Sequence, residues 1–297
     1  MSFDLAGYLA ERKKIIEQAL DRYLPPENTY PEKIHQAVRY SVFAGGKRIR
    51  PILMLASYEI FRSDYERVLA FACALEMIHT YSLIHDDLPA MDDDDFRRGK
   101  PTSHKVFGEA TAILAGDALQ AEAFRLMAEA GIKEGLEPER VIWAIYELAN
   151  SAGLSGLVSG QIMDLEKQGK KYTEKELEFI HRHKTASLIR ASIKIGAILA
   201  GAEKKEIKAL EEFGERIGLA FQIMDDILDI VGGEKLGKPI GSDQKKQKAT
   251  YPALLGLNKS EERAKALVEQ AFKFLEDFEE KAEPLRAIAR FLIEREY

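Results

Sequence analysis

Residues 79–117 read HTYSLIHDDLPAMDDDDFRRGKPTSHKVFGEATAILAGD, and this stretch decides the fold. Six aspartates, Asp86, Asp87, Asp92, Asp93, Asp94 and Asp95, follow an apolar run from Leu69 to Leu83 whose periodicity predicts a helix. Carboxylates at the C-terminal end of a helix meet the negative pole of its dipole and repel one another. They need counter-charge. Arg97, Arg98 and Lys100 lie just beyond. A hard divalent cation is the other source: magnesium takes one or two carboxylates and completes its shell with water and phosphate oxygens. The bland alternative is a solvated acidic turn with arginine counter-ions.

A second acidic set separates the two. Residues 221–229 read FQIMDDILD, with Asp225, Asp226 and Asp229 inside an apolar helical run. Asp225 and Asp229 stand at i,i+4 and share a face. Adjacent aspartates in a buried helix are costly without partners. Two aspartate-rich helices facing one cavity would make a two-sided cation site.

Working outward, residues 2–23 predict an amphipathic helix ended by Pro25-Pro26, and Pro31 opens a second helix that Gly45-Gly46 stops. Lys47-Arg48-Ile49-Arg50-Pro51 follows. It suits either a solvated turn or an anion, since glycines let the backbone approach and arginine grips phosphate through its fork. Ser63 to Glu66 reads as a capping box opening the long helix, and Thr173 to Glu176 as another. Residues 93–108 predict a polar loop, 109–130 an Ala/Leu-rich helix, and Pro138 to about Gln168 one further helix centred on Gly153, Gly156 and Gly160. Asp117 is given no role, and His85 reads as structural.

His181 and His183 are two apart and point to different faces of a helix, which argues against zinc. Thr185 in mid-helix can back-bond and bend the helix, turning a carbonyl towards the cavity. Residues 204–231 predict the helix of the second acidic set. A glycine- and lysine-rich loop with Lys235, Lys238, Lys245, Lys246 and Lys248 comes next, then closing helices at 260–281 and 284–295. No segment alternates as a strand. The class is all-α, about ten or more helices around a central cavity between long antiparallel helices.

The chain has 297 residues and a formal charge of −6. It shows no linker or composition shift, so one domain over 1–297 is expected, burying about three quarters of the unfolded surface. The net charge and the scattered basic clusters argue against nucleic acid. The single cysteine, Cys73, lies in an apolar helical run and implies no disulfide framework and a reducing compartment. No signal-type run and no apolar window near the ~18 residues of a membrane span are evident, so a soluble, cytoplasmic protein is expected.

The two acidic motifs resemble those of the trans-isoprenyl diphosphate synthases. Asp86-Asp87-Leu88-Pro89-Ala90-Met91-Asp92 has the longer spacer of the bacterial and plastid type, and Asp225–Asp229 is the second motif; the pattern is most similar to the bacterial farnesyl type. The resemblance runs from Gly45 to Pro252. It implies the isoprenoid synthase fold and head-to-tail condensation of dimethylallyl or geranyl diphosphate with isopentenyl diphosphate to farnesyl diphosphate. It implies three magnesium ions, held by Asp86, Asp87 and Asp92 and by Asp225, Asp226 and Asp229. Arg97, Lys184, Lys238 and Lys248 would meet the allylic diphosphate, and Lys47, Arg50, His79 and Arg98 the isopentenyl diphosphate. Carbonyls near Lys184 and Thr185 and the Gln222 amide would face the allylic cation, with the proton leaving to pyrophosphate. Gln161 and Asp164 also match family positions, in a supporting layer. A homodimer is typical of such proteins.

Product length falls on Tyr81, ~7.5 Å from Asp86 along the helix. A bulky ring there would floor the cavity, because a packed site resists a further isoprene unit. Ser82 beside it is too small to be the stop. The rival products are geranyl and geranylgeranyl diphosphate. A class I terpene cyclase would have no use for the GGKRxRP stretch, and a non-catalytic synthase subunit would lack aspartates that this chain keeps.

Overall fold

The computed structural model describes residues 3–231 and 248–293 of the chain. Apart from one two-residue hairpin, β1 (Phe96–Arg97) and β2 (Lys100–Pro101), its regular elements are helical, as the patterning requires. In order they are α1 (Leu5–Tyr23), α2 (Glu32–Val42), α3 (Ile49–Glu59), α4 (Leu69–Asp86), α5 (Ser103–Phe107), α6 (Glu109–Lys133), α7 (Pro138–Ala152), α8 (Leu157–Lys167), α9 (Glu174–His181), α10 (Ser187–Ala200), α11 (Lys204–Val231), α12 (Tyr251–Leu255), α13 (Leu257–Lys273) and α14 (Glu283–Ile293). A π-helical turn, Arg182–Ala186, joins α9 to α10.

Helix α4 is the axis. Every residue from Leu69 to Ile78 is buried, and α1, α2, α3, α6 and α10 all pack against it. A helix buried on all sides carries charge only where another element supplies the opposite sign. Glu76 is such a charge. Arg48 reaches it from the loop before α3, with NH1 2.6 Å from Glu76 Oε1 and NH2 donating to Val42 O at 2.7 Å. Both side chains are essentially inaccessible. The loop reaches this pair by left-handed backbone at Gly45, Gly46 and Arg48 (φ +100°, +119° and +54°), conformations that glycine adopts without strain.

Three expectations change. Ser63 and Glu66 form no capping box: a 3-10 turn, Tyr65–Val68, precedes α4 without a side-chain cap, and Asp64 instead receives Tyr58 Oη and Arg62 Nε, each at 2.9 Å. The helix expected over 138–168 is two, α7 and α8, broken at Gly153–Gly156. A Cβ on Gly156 would lie 2.0 Å from Ser151 O, so the chain turns there only with glycine.

The third concerns apolar length. Two stretches, 65–86 and 138–167, are apolar and long enough to cross a membrane by length and composition. The first is the core helix, 83% buried within the bundle; the second is interrupted by the break. The capping box at Thr173 does form: Thr173 Oγ1 accepts from Glu176 N, and Glu176 Oε2 accepts from Thr173 N at 2.8 Å.

The buried pair sets a stability test. Glu76→Leu leaves the buried Arg48 guanidinium with only Glu17, 3.5 Å from its Nε, as counter-charge and should destabilise the fold by up to about 3–5 kcal/mol in urea titration. Arg48→Met added to Glu76→Leu should recover most of that loss. A double variant no better than the single one would show that the pair is not what holds this loop.

Candidate active site

The first acidic motif does not act as a block. Asp87 is buried and takes Arg97 Nε at 2.6 Å and NH2 at 2.5 Å on one oxygen, Oδ1. Arg97 NH2 also lies 3.5 Å from Asp94. Asp95 pairs with Lys105 at 2.6 Å on the outside of the loop. Asp92 is drawn back towards α4 by its amide, which donates to Asp86 O at 2.8 Å, and its Oδ2 receives Lys248 Nζ at 2.9 Å. Asp86 keeps accessible surface although protein surrounds it, as a cleft-lining group does. Burial raises its carboxyl above the usual range, Lys184 opposes this, and Asp92 adds to it.

The second motif splits in the same way. Asp225 and Asp229 are half-buried, whereas Asp226 is turned inward at 3% exposure. Asp226 Oδ1 receives Gln222 Nε2 at 3.0 Å and its Oδ2 receives Tyr251 N at 3.0 Å; His181 Nε2 stands 3.4 Å away. Burial holds His181 neutral, its pKa pushed down from 6.5 to about 3. Asp226 thus ties α11 to α9 and α12. Among the described residues, no three acidic, histidine or cysteine side chains converge as a metal cluster. Of the expected ligands, Asp87 is clamped here by arginine and Asp226 is a hydrogen-bond hub. The two motifs together offer an all-carboxylate donor set, which fits a hard divalent cation.

The basic side gathers under the glycine pair. Arg98 NH1 donates to Gly45 O, and its guanidinium lies where a Cβ on Gly46 would be 2.7 Å from Cζ. Arg50 is surrounded by protein yet keeps some accessible surface, so it too lines the cleft. Burial lowers its pKa to about 10 against the pull of Glu76 and Asp225, and its Nε has no hydrogen-bond partner. His79 is driven well below the ordinary histidine range by burial and then by Arg50 and Arg98, and so is neutral. An uncompensated guanidinium N–H beside further arginines is a place for an anion. Lys47 Nζ lies 5.2 Å from the Phe291 ring of α14, at the rim.

The π-helical turn forms the third wall. Gly160 of α8 packs so closely on it that a Cβ would be 2.2 Å from Lys184 N. Lys184 Nζ is 2.7 Å from Asp164 Oδ2. Thr185 makes no back-bond; its Oγ1 donates to Gln222 Oε1 at 2.6 Å, and Gln222 passes the chain on to Asp226. The deformation expected of Thr185 comes from the π turn itself.

Sequence reasoning placed Asp164 and Gln161 only in support. The structure gives them more weight: Asp164 anchors the cleft lysine, and both amide atoms of the buried Gln161 lack partners. Their signal was the Gly160-Gln161 pair just ahead of Asp164. Ser82 Oγ bonds to His79 O at 2.9 Å within its own helix. Tyr81 is buried, its hydroxyl 3.5 Å from Ala152 O. Lys238, with Lys235, Lys245 and Lys246, lies outside the described residues.

With this geometry in view, the comparisons are specific. The family model for polyprenyl synthetase matches residues 31–290. The chain belongs to the polyprenyl synthetase family. It is 51% identical over 296 residues to a geranylgeranyl diphosphate synthase of Cyanophora paradoxa, covering 99% of this chain and 97% of the relative. It is 48% identical over 291 residues to a farnesyl diphosphate synthase of Geobacillus stearothermophilus, covering 98% and 97%. A crystal structure of a geranyltransferase from Helicobacter pylori, complexed with magnesium and isoprenyl diphosphate, superposes with a TM-score of 0.87 at 33% identity over 99% of both chains. The fold is the isoprenoid synthase fold. The polyprenyl synthetase is therefore a prenyltransferase of isoprenoid biosynthesis that elongates isoprenyl diphosphates.

The buried histidines contribute to the acid response of this synthetase. In the folded chain His79 and His181 stay neutral; unfolded, each binds a proton below its ordinary 6.5. The unfolded state then holds more protons, so the stability present above that value is lost as the pH falls towards 3 for His181. The slope is about 1.4 kcal/mol per pH unit for each histidine. Urea titrations across this window should show it, and His181→Gln should remove one proton's share; an unchanged slope would exclude His181 as a source.

Proposed function

We propose that the chain condenses dimethylallyl or geranyl diphosphate with isopentenyl diphosphate head to tail and ends at the C15 product, farnesyl diphosphate. The observation that carries this is one cleft with two separate cationic walls and acids between them. Arg50, Arg98 and His79 form one wall, rimmed by Lys47, and suit the diphosphate that is retained. Lys184 and Lys248 form the other, beside Asp86 and Asp92, and suit the diphosphate that leaves.

Magnesium held by Asp86 and Asp92 and by Asp225 and Asp229, three ions in this proposal, supplies Lewis-acid neutralisation of the leaving diphosphate when bound. The allylic C1–O bond breaks and its electrons leave on pyrophosphate. The isopentenyl double bond attacks C1, and the proton then lost goes to pyrophosphate. The Gln222 amide, fixed by Thr185 and Asp226, and carbonyls of the π turn offer dipoles and no nucleophile to the cation. Asp86→Ala and Asp225→Ala should each lower turnover by about 10²-fold or more with circular dichroism unchanged. Turnover near wild type in either variant at saturating magnesium would refute the shared role.

Tyr81 supports the C15 end point, since it is a buried aromatic one turn and more below Asp86. Tyr81→Ala should move the main product from C15 to C20 or longer while the first condensation is little changed. A variant that still stops at C15 would place the floor elsewhere. The second reading, a C20 product from the wild type, is favoured by the 51% identity to a geranylgeranyl diphosphate synthase. Product chromatography from labelled isopentenyl diphosphate separates the two.

Ile142, Trp143 and Tyr146 of α7 and Leu154, Val158 and Ile162 beyond it are exposed. Exposed apolar residues at helical spacing along one chain segment support a homodimer, and the cytoplasm is the compartment in this proposal.

A further inference from the structure

His85 sits between the metal-facing end of α4 and the proposed floor, and the function above assigns it nothing. Tyr81 and His85 are i,i+4 and share the face of α4 turned to α6. Their rings meet edge to face, 5.8 Å apart at 76°. On the far side, the His85 imidazole lies in a notch in α6. A Cβ on Gly116 would be 2.1 Å from its Nε2, 2.5 Å from Cδ2 and 2.8 Å from Cε1. Nε2 is also 3.0 Å from Ile113 O. A carbonyl only accepts, so Nε2 carries the proton and the ring orientation is fixed. Asp117 Oδ1, at 4.0 Å, is the nearest charge on that side. The imidazole is thus held on one edge by α6 and presses on the Tyr81 ring with the other.

We propose that His85 and Gly116 are positioning residues for product length: the imidazole, seated in the notch that Gly116 leaves, holds the Tyr81 ring across the end of the cleft. This rests on the reading of Tyr81 as the floor. A wedged ring resists displacement by a growing tail, whereas without the imidazole it loses a packing neighbour and is held mainly through its hydroxyl, by Ala152 O and Gln120. No other residue at 116 leaves the notch open, and neither position need touch substrate.

The test is the product mixture of the full-length chain from geranyl diphosphate and labelled isopentenyl diphosphate. Gly116→Ala evicts the imidazole and should raise the C20-to-C15 ratio about tenfold, the upper end of what an aromatic contact is worth. The kcat and KM of the first condensation should hold. His85→Ala, which creates no clash, should give the same shift and guards against misfolding of the first variant. His85→Gln, which keeps a donor for Ile113 O, should lie closer to wild type than His85→Ala. Neither change should add to Tyr81→Ala. If Tyr81→Ala lengthens the product and both His85→Ala and Gly116→Ala leave the ratio unchanged, the buttress is wrong and the floor stands. If the shifts add to that of Tyr81→Ala, the notch acts by another route and the proposal fails. If Tyr81→Ala itself changes nothing, the floor falls and the buttress with it.

Discussion

The burial of α4 is the constraint on which the rest depends. With apolar neighbours on every side, it tolerates charge only where a partner is delivered, and each delivery places something useful. Arg48, brought to Glu76, fixes the glycine loop and so the direction in which Arg50 enters the cleft. Arg97, brought to Asp87, fixes the hairpin, and Arg98, its neighbour, is then laid against Gly45. The two arms of the proposed anion pocket are therefore both suspended from carboxylates of one helix. Pairing one member of each charged doublet leaves the other, Arg50 or Asp86, under-compensated and facing the cleft. That is how a structural ion pair generates a reactive neighbour.

Much of this was legible in the sequence, and the failures have a common cause. Apolar periodicity located the helices, the capping box at Thr173 gave a true helix start, and the two acidic motifs located the cleft. The partners of Asp87 and Asp226 within their motifs were not legible. Asp225 and Asp226 are adjacent, so they leave the helix about 100° apart. Which of them faces the cleft is set by how α11 is rotated against α9 and α12, and pattern alone does not fix that rotation. The same holds for Asp86 and Asp87. The Ser63–Glu66 box failed because the chain there takes a 3-10 turn, Tyr65–Val68, in place of the first turn of a helix. The π turn at Lys184 has no local sequence signal; close packing by Gly160 from α8 accompanies it.

Identity does not decide the product. Relatives at 51% and 48% carry different product names, which is what physics expects if chain length depends on a few atoms at the end of a cleft. The chemistry is carried by charge balance spread over many residues, whereas the end point is a packing limit, sensitive to one ring and whatever holds it.

The helix break between α7 and α8 belongs to that limit. In an unbroken helix, Ala152 O would accept from Gly156 N. Here Gly156 N goes to Gly153 O instead. Ala152 O is left for the Tyr81 hydroxyl, and Ser151 O, one residue earlier, lies 3.1 Å from the Ser187 hydroxyl, whose shorter contact is with His183 O at 2.6 Å. A carbonyl that the helix end leaves open is thus met by a side chain from α4. Gly156 makes the arrangement possible, because a side chain there would strike Ser151 O. A stretch that reads as one apolar helix is interrupted where the cleft ends. The interruption supplies the acceptor that orients the ring proposed to close it.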